Sequence, residues 1–364
     1  MNQETKVDKE QLASLLLRRI AGLADRPFRL MEVCGTHTIA IFRFGIKSLL
    51  ADAIELISGP GCPVCVTPAG EIDRVIVLAQ RQKTILATFG DLMRVPGSSS
   101  SLQQERARGA DIRVILSPLD AVEIAARNSD RAVCFFAVGF ETTSPAIAAA
   151  VKEARRRGLT NFYLLSSQRL VPPAIQALLS SGKAAIDGFI LPGHVSVIIG
   201  QSPYLFIAEE FRIPGVITGF EALDILEGVH MLLRQKKEGR AAIEIQYKRA
   251  VKAEGNPRAR AIMAEVFVPA DVSWRGLGWI AQSGLALRDE FAAMDAAKVF
   301  DIPYVEAEDR KGCMCAEVLQ GIKRPPDCPL FGKQCTPVDP VGACMVSTEG
   351  SCAAYYKYGG FHAE

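Results

Sequence analysis

Ala132-Val133-Cys134-Phe135-Phe136-Ala137-Val138-Gly139-Phe140-Glu141-Thr142-Thr143-Ser144-Pro145 is the stretch whose reading decides the fold. Ala132 to Phe140 is the longest apolar run of the chain, and a strand is expected over Ala132–Val138, where Val133–Val138 is apolar on both faces, as a parallel strand covered by helices should be. A helix is then expected over Ser144–Arg157. Thr143 or Ser144 can cap it, and Pro145 sits in the first turn, where no N–H donor is needed. Strand, tight turn and helix make half of a βαβ unit, so the spacing predicts an α/β protein with parallel sheets.

The same alternation runs outward in both directions. Further strands are expected at Phe28–Val33, Ile54–Ile57, Thr84–Thr88, Ile112–Leu116, Phe162–Leu165 and Gly188–Leu191. Helical stretches at Gly70–Arg81, Ser117–Arg127 and Pro172–Ser181 lie between them. Lys9–Ala24 is a further helix, with Leu12, Leu15, Leu16, Ile20 and Leu23 on one face. The Gly- and Cys-rich segments all follow strands: Cys34-Gly35-Thr36-His37, Gly59 to Cys65, Phe89-Gly90-Asp91, Gly139 to Thr143, and Pro192-Gly193-His194. In a doubly wound sheet these turns lie at the carboxyl ends of the strands, where ligands bind, so motifs distant in sequence can share one cleft. From about Val251 the chain turns Pro- and Gly-rich, and a smaller domain organised partly by metal is expected there.

Composition narrows the function classes. Among 364 residues, 42 basic and 40 acidic side chains leave a net charge of +2, which gives no support to general nucleic-acid binding. No apolar run approaches the roughly 20 residues of a membrane helix, and the N-terminal residues lack the apolar core of a signal peptide. A cytoplasmic location is expected. No Walker motif appears and no complete G-x-G-x-x-G follows a strand, so nucleotide binding has no support. Ten cysteines in a reducing compartment then point to ligands or redox groups rather than structural disulfides.

Those cysteines fall in groups. Cys328, Cys335, Cys344 and Cys352, separated by six, eight and seven residues, can wrap one metal centre. Zinc and a [4Fe–4S] cluster both accept four thiolates, and the wide gaps suit a cluster better. Cys313 and Cys315 are a close extra pair that could replace a ligand or act as a redox partner. Cys62-Pro63-Val64-Cys65 is a redox-capable Cys-x-x-Cys at a strand-to-helix turn, where helix amides favour a thiolate; half of a zinc site is the alternative. Cys34 and His37 could bind a metal or share a proton, or could simply pack and cap. Glu141 and Thr142 can make hydrogen bonds in the cleft, and His194 follows a strand and a glycine. Cys134 is expected in the core, His230 and His362 as structural or solvated groups, and Trp274 and Trp279 as packing or partner-surface residues.

Taken in order, Cys34-Gly35-Thr36-His37-Thr38, Gly59-Pro60-Gly61-Cys62-Pro63-Val64-Cys65, Gly139-Phe140-Glu141-Thr142-Thr143 and Pro192-Gly193-His194-Val195-Ser196 resemble the sequence blocks of the HypD family. The tail adds Cys328-Pro329-Leu330-Phe331-Gly332-Lys333, Cys344-Met345-Val346-Ser347 and Cys352-Ala353-Ala354-Tyr355-Tyr356. One departure is Ala316, where the family segment carries glycine. The resemblance implies a scaffold for [NiFe]-hydrogenase maturation. With a small partner, HypC, it would hold the iron that becomes Fe(CN)2CO, cyanide coming from HypE. It implies Cys34 as an iron ligand with His37 in the same site, Cys62 and Cys65 as a redox-active dithiol, and Thr36, Gly61, Glu141, Thr142 and His194 around the bound centre. Cys328, Cys335, Cys344 and Cys352 would hold a [4Fe–4S] cluster. The implied architecture is two Rossmann-like parallel-sheet domains plus a smaller C-terminal iron–sulfur domain. The expected divisions are 1–27 (a helix packed on the cluster domain), 28–130, 131–250 and 251–364. A monomer that forms hetero-complexes is expected, with maturation coupled to redox activity. A cluster-driven thiol–disulfide oxidoreductase and a structural zinc protein are the competing readings.

Overall fold

The computed structural model describes residues 9–50 and 53–359. Among the described residues nine strands form two all-parallel sheets: β1 Phe28–Glu32, β2 Ile54–Ser58, β3 Thr84–Thr88, β4 Ile112–Val114, β5 Ala132–Gly139, β6 Phe162–Gln168, β7 Gly188–Pro192, β8 Gly215–Thr218 and β9 Ile243–Ile245. One sheet has the order β2-β1-β7-β8-β9 and the other β4-β3-β5-β6. β5 is a central strand of the second sheet, paired with β3 and β6. Its Phe135 and Phe136 are both fully buried, on opposite faces. Phe136 joins Leu86, Leu165, Phe189 and Leu191 in the apolar layer between the sheets. Phe135 joins Ile147, Val151 and Phe162 under the helix Ser144–Arg156. Burying one such ring stabilises the fold by roughly 1.5–3 kcal/mol.

The segments 28–130 and 131–250 do not each own a sheet. β1 and β2 join β7, β8 and β9, while β3 and β4 join β5 and β6. Period and turn chemistry locate strands, but partner choice is set by long-range packing that a local pattern does not carry. The helix Lys9–Leu23 also lies elsewhere than expected. Its Leu16 and Ile20 pack with Ile225, Val229 and Leu232 of helix Ala222–Lys237, on the face of the first sheet turned away from the second.

A third difference lies after Val251. Helix Pro257–Val266 leads into an antiparallel hairpin, β10 Phe267–Trp274 and β11 Gly278–Leu287. Val266, Phe267, Leu285 and Leu287 join the core around Phe135. The Leu170 N–H donates to Ser283 O at 2.8 Å and the Ser166 hydroxyl to Leu285 O at 2.5 Å. The hairpin therefore completes the second sheet's cover. Its alternation is broken by Pro269 and by a register shift between Ala270 and Val272, which hid it from a period-two reading. Trp274 is buried and stacks on Phe140, whereas Trp279 is exposed with its edge against Tyr304. Among the described residues no helix is long and apolar enough to cross a membrane.

Candidate thiol and metal centre

Strand order places the site. The order of strands reverses between β1 and β7 in the first sheet, and between β3 and β5 in the second. Such switch points open a crevice at the carboxyl ends of the strands. The turns there carry Cys34 after β1, His194 after β7 and Glu141 after β5.

Cys34 is the N-cap of helix Gly35–Arg43. Its N–H donates to Glu32 Oε2 at 3.0 Å, and the Thr38 hydroxyl donates to Glu32 Oε1 at 2.5 Å. Glu32 is fully buried, and that burial raises its carboxyl to about 7. The amides of Thr36 and His37 point at the Cys34 sulfur and favour a thiolate. Burial, then the Glu349 carboxylate, outweigh them and push the thiol up to about 12. Cys34 is therefore protonated at neutral pH until a cation displaces the proton.

Gly61 explains how the two thiol loops meet. Its carbonyl accepts the Gly35 N–H at 2.9 Å. A Cβ on Gly61 would lie 2.2 Å from Cys34 N, so only glycine allows this approach. Cys62 and Cys65 are paired, with Cα atoms 5.2 Å apart, and both are buried. The hairpin braces this loop: Arg275 donates its N–H to Val66 O at 2.8 Å and its Nε–H to Thr67 O at 3.0 Å.

The cysteine-bearing tail packs over the same turns. Cys65 Sγ lies 4.0 Å from Ala343 O. The Thr36 hydroxyl donates to Glu349 Oε1 at 2.9 Å, and a Cβ on Gly35 would strike Glu349. One chamber in the tail is lined by six cysteines: Cys313, Cys315, Cys328, Cys335, Cys344 and Cys352. Cys315 and Cys344 sulfurs are 2.8 Å apart. Phe331 and Met345 supply apolar wall. The extra pair thus joins the four expected ligands in one place. Burial raises Cys335, and the neighbouring Cys315 thiol followed by burial raises Cys313. Among the described residues no three His, Cys, Asp or Glu side chains form a ready single-ion site. A chamber of clustered soft thiols with an apolar wall fits an iron–sulfur cluster better than a single zinc ion.

The other expected site residues divide. The His37 ring is held by the turn after β8. Its Nε2–H faces Gly219 O at 2.9 Å with the Thr218 hydroxyl also at 2.9 Å, leaving Nδ1 without a partner. Burial lowers it to about 4. His37 and His194 both stack on Phe220, with ring centroids 4.6 and 3.9 Å away. Glu141 is buried, whereas Thr142 is exposed. Cys134 is core, as read. His230 lies in helix Ala222–Lys237, and His362 is outside the described residues. Three residues escaped the sequence reading: Glu32, Glu349 and Tyr204. A carboxylate closing the apolar strand before Cys34 was a usable signal for Glu32; the other two depend on tertiary placement.

Parallel sheets with Cys34 at a switch point, beside a cysteine-lined chamber, place the chain in the α/β class with its cysteines gathered at one site. The chain belongs to the HypD family: a family model described as "Hydrogenase formation hypA family" matches residues 11–359. It is 50% identical to hydrogenase maturation factor HypD of Rhizobium leguminosarum bv. viciae over 360 residues, covering 96% of this chain and 94% of that one. The corresponding factor of Rhodobacter capsulatus is 49% identical, with 97% of each chain covered. That of Escherichia coli is 47% identical, covering 96% of this chain and 94% of that one.

Proposed function

We propose that this chain is a hydrogenase maturation factor that holds iron at Cys34 while the Fe(CN)2CO moiety of [NiFe]-hydrogenase is assembled, in a cytoplasmic complex with HypC and with HypE as cyanide donor. The observation that carries the reading is the convergence of three thiol groups. The Cys34 turn contacts the Cys62/Cys65 loop through Gly61, and Cys65 abuts the tail beside Cys344. Iron is the cargo here, and the Cys34 sulfur supplies one donor to it. The tail thiols Cys328, Cys335, Cys344 and Cys352 would hold a [4Fe–4S] cluster, with Cys313 and Cys315 beside them. That group, when bound, would supply electrons one at a time. Cys62 and Cys65 can store two electrons as a dithiol and release them on pairing. Glu32 fixes the Cys34 backbone, and Thr36 ties the helix start to Glu349 of the tail.

Burial of Cys62 and Cys65 argues against a stand-alone reductase of protein disulfides, because a substrate sulfur has no direct path to either. The test is elemental analysis of protein purified without oxygen. About four iron and four sulfide per chain support the tail cluster. Zinc without sulfide would point to a structural module instead.

A further inference from the structure

The turn that carries Cys62 and Cys65 depends on another part of the chain to complete its end. The Val66 N–H donates to Cys62 O at 3.1 Å, and the Thr67 hydroxyl to Pro63 O at 2.8 Å. The carbonyls of Val66 and Thr67, the last two of the turn, have no acceptor role inside it, as at any helical end. Arg275 takes both, with its backbone N–H at 2.8 Å and its Nε–H at 3.0 Å. The same residue is 5% exposed, and its Nη1 is ion-paired with Asp309, four residues before Cys313. Its Nη2 has no partner, so the bonds to Thr67 and Asp309 hold the buried charge. The next residue, Gly276, reaches the far side of the cysteine pair. Its carbonyl accepts the Gln320 Nε2–H at 2.6 Å, and a Cβ on it would lie 2.6 Å from Ala316 Cα. Arg275 and Gly276 therefore join the Cys62–Cys65 turn to both ends of the segment that carries Cys313 and Cys315. A second strap lies beside them. A Cβ on Gly70, in the helix Ala69–Ala79 that follows the turn, would lie 2.1 Å from Val305 O.

We infer that Arg275 is the positioning residue that seals the Cys62–Cys65 turn against the cysteine-bearing tail, so that the pair is closed to soluble thiols. The inference rests on the reading of Cys62 and Cys65 as a redox pair. Reduction by a soluble thiol needs a thiolate in line with one sulfur of the pair. The Cys62–Cys65 bond breaks as a mixed disulfide forms, and a second thiolate releases the reagent as its own disulfide. Two electrons enter the pair, and its two sulfurs take up two protons. Cys62 is 4% exposed and Cys65 0%, with Ala343 O 4.0 Å from the Cys65 sulfur. An attacking thiolate reaches either sulfur only when turn and tail part, and the bonds of Arg275 break in that opening. Alanine at 275 keeps the backbone N–H for Val66 O but loses both Thr67 O and Asp309. The locally open form is then favoured about tenfold or more, the worth of a charge-assisted hydrogen bond. Arg169, equally buried, does not serve. Its donors go to Ser167 and to Ser273 O, with Thr67 Oγ1 at 3.5 Å, and none reaches the tail.

The test is the rate at which glutathione reduces the pair in the full chain, isolated without oxygen and with its tail iron loaded. Samples are alkylated at intervals, and the label on Cys62 and Cys65 is counted by peptide mass. Cys134, buried in β5, is the internal control for the global fold. Arg275→Ala should be reduced about tenfold faster than wild type, with Cys134 still unlabelled. Asp309→Asn should be faster than wild type too. The double variant should be no faster than Arg275→Ala, because both changes break one bridge. Reduction of Arg275→Ala within about twofold of the wild-type rate overturns the proposal, as does a double variant in which the two effects multiply. If Arg275→Ala does not fold, or labels Cys134 in step with the pair, Asp309→Asn decides. A gain in rate with Cys134 protected supports the proposal, and an unchanged rate overturns it. A reduced, opened variant that does not re-form the Cys62–Cys65 bond with oxidised glutathione overturns the redox-pair reading itself, which separates the two failures.

Discussion

Gly61→Ala places a methyl group where the two thiol loops touch. The added Cβ would lie 2.2 Å from Cys34 N, 2.4 Å from Val33 C and 2.6 Å from Cys34 Cα. Ordinary contact begins near 3.4 Å, so the loops must part by about 1.2 Å. All three atoms are backbone, and no flexible side chain can yield instead. Overpacking of this kind costs about 1–3 kcal/mol. Losing the Gly35 N–H to Gly61 O hydrogen bond adds roughly 1 kcal/mol. At about 2 °C per kcal/mol for a domain of this size, the thermal midpoint should fall by about 4–8 °C. Circular dichroism on anaerobic protein measures it. Gly22→Ala is the control: nothing lies within 4 Å of its added Cβ, and alanine in a helix should gain roughly 0.5–1 kcal/mol. A Gly61→Ala midpoint within about 1 °C of wild type would refute the close approach on which the site is built.

Changing Cys344 to serine should remove most tail iron and sulfide; wild-type content would eliminate it as a ligand. Glu141 also predicts a pH effect on stability. Its carboxyl stands at about 7 when folded, against 4.5 for the free group, so the folded state binds more protons between those values and stability falls as pH rises from 4.5 to 7. At 1.36 kcal/mol per unit this is about 3 kcal/mol, present at pH 4 and lost by pH 8. Urea unfolding at the two pH values should show Glu141→Gln gaining on wild type by that order as pH rises, and an unchanged gap would contradict it. Glu349→Gln keeps an acceptor for Thr36 but removes the charge beside Cys34. Cys34 should then alkylate at lower pH than in wild type, and an unmoved profile would remove Glu349 from the site's electrostatics.

Much of this was legible in the residues because local rules carry it. β5 and the helix after it were readable from an apolar run ending in Gly-Phe-Glu-Thr-Thr-Ser-Pro. Pro145 does sit in the first turn as expected, although the Ser144 hydroxyl bonds back to Phe140 O rather than capping. β8 and β9 were missed because four- and three-residue strands offer too short a period. The exchange of strands between sheets, the docking of the N-terminal helix on Ala222–Lys237, and the gathering of Cys313 and Cys315 with the other four tail cysteines depend on contacts between residues far apart in the chain. His37 shows the limit most clearly. Three residues from Cys34, it presents its backbone amide to the sulfur and its ring to Gly219, and spacing alone does not distinguish the two.

The central claim is that Cys34 holds the iron under assembly. Its most direct test is the Mössbauer spectrum of iron-57-labelled protein, isolated without oxygen together with its small maturation partner, for wild type and Cys34→Ala. The account predicts a low-spin iron signal in wild type beyond that of the tail cysteines, and its loss in the variant with the tail signal unchanged. A low-spin signal of equal size in Cys34→Ala would contradict it.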